Sequence, residues 1–154
     1  MLVYRIANCR YINDLSGKGA AMYGGRWNSK DVYMLYTAES AALALLETIV
    51  HIGRIPEQGF CMITIQLPDD KIEITDIDKL PANWHKNPAP DGLKMIGDNF
   101  ITASKKLTMK VPSVIMPEGY NLLINTHHHE FKKLKIINSR TLTIDDRLLH
   151  ATGR

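Results

Sequence analysis

A few short stretches of this chain carry side chains suited to chemistry. Gly24-Gly25-Arg26-Trp27-Asn28 sets an arginine beside paired glycines. The glycines let backbone pass close to a ligand, and the guanidinium offers a planar fork to phosphate oxygens. A hairpin turn beside a solvated arginine would read the same way. Glu47 follows Leu43 by four residues and lies at the margin of the stripe formed by Leu43, Leu46 and Val50. A carboxylate half-turned to a core is costly unless it is paired or faces a polar cleft. The plainer alternative is a boundary glutamate that reaches out to water. His51, one turn later, is placed either as a neighbour of Glu47 or as a complement to the helix C-terminus.

Ser113 follows Pro112 in an apolar run, where a serine ordinarily bonds to backbone. No Gly-x-Ser-x-Gly elbow surrounds it, so a hydrolase nucleophile is not expected. Tyr36 ends an apolar segment just before the stretch that carries Glu47, a place for a ring lining a cleft or for a core tyrosine. His127-His128-His129 invites a metal reading. Consecutive side chains of an extended segment alternate faces and cannot all converge, so no metal site is expected there. Gly17-Lys18-Gly19 lacks the spacing of a phosphate-binding P-loop.

The elements that must position these residues are legible from periodicity. Leu2 to Ile6 reads as an opening strand and Val32 to Tyr36 as a second, rich in β-formers. A helix is expected from an N-cap at Thr37 to about His51, closed by Gly53 and Pro56. Phe60 to Leu67 alternates as a strand and stops at Pro68, and Lys71 to Ile74 extends the sheet. The proline-rich stretch from Leu80 to Pro90 reads as loop, anchored to the body by Trp84. Gly92 to Lys105 is a second helix candidate. Val111 to Met116 is a strand interrupted by Pro112, which suggests an edge position or a bulge. Leu122 to Ile124 and Leu134 to Asn138 complete the strands, and Leu142 to Leu149 is a terminal helix candidate. Strands outnumber helices without regular alternation, which favours an α+β fold with a mixed, strand-rich core.

The bulk properties fit one domain over residues 1–154, with 45% hydrophobic and 23% charged residues. The longest apolar run, Ala41 to Leu46, is too short to cross a bilayer, and the N-terminus lacks signal-peptide architecture. A cytoplasmic location is the expectation. Cys9 and Cys61 match no metal or redox spacing and are expected to be two reduced, mostly buried thiols. The net charge of +3 is mild. Its basic residues are scattered apart from Lys105-Lys106 and the Lys132-Lys133-Lys135 group, so no direct nucleic-acid role is expected.

Taken in order, these pieces resemble the RES family, named for its Arg, Glu and Ser. The resemblance runs through Val3-Tyr4-Arg5-Ile6, Ser16-Gly17-Lys18-Gly19-Ala20, Gly24-Gly25-Arg26-Trp27-Asn28, Tyr36-Thr37-Ala38 and Ala42-Leu43-Ala44-Leu45-Leu46-Glu47 with Val50-His51. It continues through Leu80-Pro81-Ala82-Asn83-Trp84, Val111-Pro112-Ser113 and Asn121-Leu122-Leu123-Ile124-Asn125. The run of three histidines after Asn125, and Phe100 where a Trp is frequent, depart from the family pattern.

The resemblance implies a toxin of a type II toxin–antitoxin pair, with a fold like the NAD-binding core of ADP-ribosyltransferases. It implies degradation of NAD⁺ as substrate with no cofactor, a cognate Xre-like helix-turn-helix antitoxin, and possible pairing as a homodimer. It carries over Arg26, Tyr36, Glu47 and Ser113 as site residues. Breaking the nicotinamide–ribose bond passes through an oxocarbenium-like state, and the leaving pyridinium departs neutral, so one carboxylate is enough. Glu47 would stabilise charge on the ribose, Arg26 would clamp the pyrophosphate, Tyr36 would orient the nicotinamide, and Ser113 would bond to its amide or to ribose. Hydrolysis and phosphorolysis both fit. So do two alternatives: transfer of ADP-ribose to a macromolecule, and a non-catalytic NAD-binding module.

Overall fold

The computed structural model describes residues 1–52, 56–69 and 72–150. Its strands are β1 (Leu2–Asn8), β2 (Leu35–Ala38), β3 (Phe60–Gln66), β4 (Glu73–Ile74), β5 (Thr108–Pro112), β6 (Tyr120–Ile124) and β7 (Lys135–Leu142). Its helices are α1 (Lys18–Tyr23), α2 (Ala41–His51), α3 (Asp91–Ala103) and α4 (Asp146–His150). The strands form one seven-stranded sheet in the order β4-β5-β6-β2-β1-β3-β7. Among the described residues only β4 and β5 pair in parallel; the other pairs are antiparallel. The fold is α+β.

Side-chain alternation divides the core between the two faces of the sheet. Along β6, Leu122 and Ile124 join Val3, Leu35, Ile63 and Ile65 on one face. Leu123 between them joins Trp27, Met34, Leu93, Phe100 and Met109 on the other. That second face also carries Ala38, which packs under Leu43 and Ala44 of α2. A cavity is left between α2, α1 and β1.

Local chemistry sets the element ends. Ser40, not Thr37, caps α2: its Oγ accepts from the Leu43 N–H at 3.1 Å. Thr37 is instead a buried strand residue whose hydroxyl donates to the Leu122 carbonyl at 2.7 Å, a β-branched side chain in its favoured setting. The second strand starts at Leu35 rather than Val32, because the Asn28 side chain binds the Val32 carbonyl and holds that segment in a loop. Gly53 and Lys71, expected to end α2 and to begin β4, lie outside the described residues. The expected helix at Gly92 to Lys105 is α3, ended by Ser104 in the left-handed conformation. Leu142 belongs to β7, so the terminal helix starts at Asp146 and not at Leu142. Pro112 closes β5 beyond the two residues that β4 covers, where the missing N–H costs least.

The two cysteines are the clearest correction. Cys9 and Cys61 form a disulfide across a sequence separation of 52. The β1–β3 register places Ala7 opposite Cys61 and Asn8 opposite Phe60, so Cys9, just past β1, lands beside Cys61. Spacing along the chain carries no trace of that register.

Candidate active site

Glu47 sits on α2 above the sheet and meets two side chains from across the fold. Its Oε1 accepts from the Ser113 hydroxyl at 2.8 Å and from the Asn121 amide nitrogen at 2.6 Å. Among the described residues no hydrogen bond reaches Oε2. One oxygen is therefore held from two directions while the other stays available. The carboxylate is paired and also faces a cleft, the two conditions that make its position tolerable.

The commitments of Ser113 are equally specific. It follows β5, is 1% exposed, and its Oγ accepts from the N–H groups of Ile115 and Met116 at 3.1 and 3.2 Å. A hydroxyl has one proton, and this one goes to Glu47. Ser113 thus spends its proton on the carboxylate.

The cavity that Glu47 faces has a volume of about 980 Å³, at the upper end of the range for ligand pockets. Arg5, Lys18, Tyr36, His51 and Asn121 also form its wall. His51 approaches Glu47 through the backbone, with Nδ1 2.7 Å from the Glu47 carbonyl oxygen. Arg5 donates to the Ile12 carbonyl at 2.8 Å, and burial lowers its pKa against the opposing pull of Asp14.

Arg26 stands off this wall. Its Nη1 donates to the carbonyls of Trp84 and Lys86 at 2.9 and 3.0 Å, tying the glycine-rich loop to the proline-rich one. Burial lowers its pKa, and the nearby charge of Glu47 partly restores it. Trp84 packs against the cluster around Trp27, the anchor expected of it.

Tyr36 is locked at its hydroxyl, which donates to Asn28 Oδ1 at 2.8 Å and accepts from the Trp27 N–H at 3.1 Å. Burial pushes its ionisation far above the usual tyrosine range, so it remains a neutral phenol. The glycine beside Arg26 serves this contact: a Cβ on Gly25 would lie 2.6 Å from the Tyr36 hydroxyl. Here the missing side chain makes room for a tyrosine.

Within the triple histidine, His128 and His129 stack with ring centroids 4.3 Å apart, and the other contacts differ. His127 packs on the Tyr33 ring, and buried His128 accepts from the Glu130 N–H through Nδ1. Among the described residues no group of three or more metal-ligand side chains converges. No helix among them is long and apolar enough to cross a membrane.

The structure joins Glu47 to Ser113 directly and to Tyr36 through a shared cavity wall, while Arg26 stands off that wall. It adds Asn121, Arg5 and Lys18, which reading the sequence did not single out as site residues. Asn121 stands in the segment Asn121-Leu122-Leu123-Ile124-Asn125, which the family resemblance included without assigning Asn121 a role.

Residues 2–145 match the family model described as the RES domain. A protein named Toxin Res from Photorhabdus laumondii is 35% identical over 155 residues, covering 98% of this chain and 99% of the relative. A Prs ADP-ribosylating toxin from Sphingobium is 37% identical over 142 residues, covering 89% of this chain and 88% of the relative. In fold, the chain is similar to one in the crystal structure of the M. tuberculosis MbcT-MbcA toxin-antitoxin complex. The TM-score is 0.76 at 21% identity, over 92% of this chain and 84% of the other. By the family model and the relatives, this chain belongs to the RES family of toxins.

Proposed function

We propose that this toxin depletes NAD⁺ by cleaving its nicotinamide–ribose bond, with Glu47 stabilising the positive charge that develops on the ribose. The observation that carries the reading is the Glu47 carboxylate, fixed at Oε1 and free at Oε2, on the wall of a cavity of about 980 Å³. The N-glycosidic bond breaks and its electron pair passes to the pyridinium nitrogen, which leaves as neutral nicotinamide. Water or phosphate then adds at the ribose carbon, and water sheds its proton to solvent. A preorganised negative oxygen beside that carbon lowers the barrier because it needs no reorientation as charge appears.

Other residues bind and hold. Arg26 keeps guanidinium hydrogens beyond its Nη1 contacts and serves the pyrophosphate, with the cations of Arg5 and Lys18 along the wall. The Tyr36 ring presents an apolar surface to the nicotinamide. Ser113 acts through Glu47. The product test is direct: purified protein incubated with NAD⁺ should release nicotinamide together with ADP-ribose, or with ADP-ribose phosphate when phosphate is present. Intact NAD⁺ after incubation with folded protein overturns the reading.

A second reading is favoured by one finding, the name of the Sphingobium relative, an ADP-ribosylating toxin. In it the same bond breaks and the acceptor is a macromolecule. Label transferred from adenylate-labelled NAD⁺ to protein or nucleic acid, with little free ADP-ribose, would select it. The partner we propose is an antitoxin, Xre-like by the family resemblance. The fold similarity to a chain of a toxin-antitoxin complex supports it.

A further inference from the structure

We propose that Asn121 is a positioning residue that fixes the plane of the Glu47 carboxylate. The inference rests on the NAD⁺-cleaving reading for its kinetic consequence, but not for its geometry. Two donors share Glu47 Oε1, and they come from different parts of the sheet. Ser113 follows the end of β5, whereas Asn121 lies within β6. A single bond from Ser113 would act as a pivot, about which the carboxylate could swing. The second bond, at 2.6 Å from Asn121, removes that freedom and sets where Oε2 stands.

Asn121 is itself well held. It pairs with Ala38 of β2 on one side and with Val111 of β5 on the other. Its amide orientation follows from chemistry, because an ionised carboxylate only accepts and so requires the nitrogen toward Glu47. Unlike buried Ser113, Asn121 also lies on the cavity wall. It is therefore the donor that bound substrate could disturb, and its grip on Oε1 must survive substrate entry for the carboxylate to act without reorganising.

The test compares wild type, Asn121→Ala, Asn121→Asp, Glu47→Gln and the double variant Asn121→Ala/Glu47→Gln, following nicotinamide release from NAD⁺. Asn121→Ala should lower kcat about ten- to a hundredfold, with KM within about twofold. Asn121→Asp, nearly isosteric, opposes two carboxylates and should lower kcat further. The double variant should be no slower than Glu47→Gln, since nothing remains to position.

A raised KM with unchanged kcat would make Asn121 a substrate contact, and additive losses in the double variant would separate it from Glu47. Either result overturns the proposal. If Asn121→Ala fails to fold, the isosteric aspartate carries the same comparison. A wild type that releases no nicotinamide defeats the NAD⁺ reading and leaves the geometric part to crystallography. There, a Glu47 carboxylate unmoved in Asn121→Ala overturns the positioning role, and a rotated one supports it.

Discussion

The two halves of the site are held by different kinds of structure. Glu47 stands on a regular helix, and its donors come from the end of one strand and the middle of another. Arg26 stands in a glycine-rich loop, and its partners are backbone carbonyls of a second loop. The carboxylate half is braced by sheet ladders. The arginine half is braced by contacts between irregular segments, which open at lower cost than a core sheet. This difference suits a division of labour, with charge stabilisation on the rigid side and substrate capture on the side able to adjust.

Substitutions can break or sharpen that contrast. Glu47→Gln keeps the shape and removes the charge, so kcat should fall about a hundred- to a thousandfold with the melting temperature little changed. Near-normal turnover by the folded variant would remove Glu47 from the chemistry. Ser113→Ala deletes one of the two donors to Oε1 and strands two turn N–H groups. It should lower kcat about tenfold and also reduce stability by about 1–3 kcal/mol, measured by urea unfolding.

Arg26→Ala should act mainly on KM, raising it about tenfold, and should speed proteolysis of the loop near Trp84. A collapse in kcat at constant KM would erase the contrast between the halves. The smallest effect is expected from Tyr36→Phe. Its ring stays on the wall, but Asn28 Oδ1 and the Trp27 N–H lose their shared partner. Stability should drop by about 1–2 kcal/mol in denaturant titration, with kcat/KM changed only a few-fold.

Much of the framework was legible in advance because its signals are local. Alternation located β1 and β3, and the apolar stripe located α2 with Glu47 at its margin. Where these expectations slipped, a distant partner had intervened. Thr37 left its expected capping place because β6 offered a carbonyl to its hydroxyl, and Ser40 took over the cap. Residues 32–34 stayed out of the sheet because Asn28 had claimed the Val32 carbonyl. The glycine-rich loop could be read as a ligand approach or a turn, and it was Tyr36, distant from any local signal, for which Gly25 makes room.

By itself, the sequence determined the α+β class and the places of most strands and of α2 and α3, though not of α1, and through family resemblance it put forward Arg26, Tyr36, Glu47 and Ser113. These depend on residue type and short-range period, which survive in a linear string. Tertiary structure alone decided that Ser113 spends its proton on Glu47, that Asn121 shares the task, and that Cys9 bonds to Cys61. Those pairs lie 66, 74 and 52 residues apart. Their meeting is set by strand order and register, which the burial of both sheet faces selects collectively and which no single segment encodes.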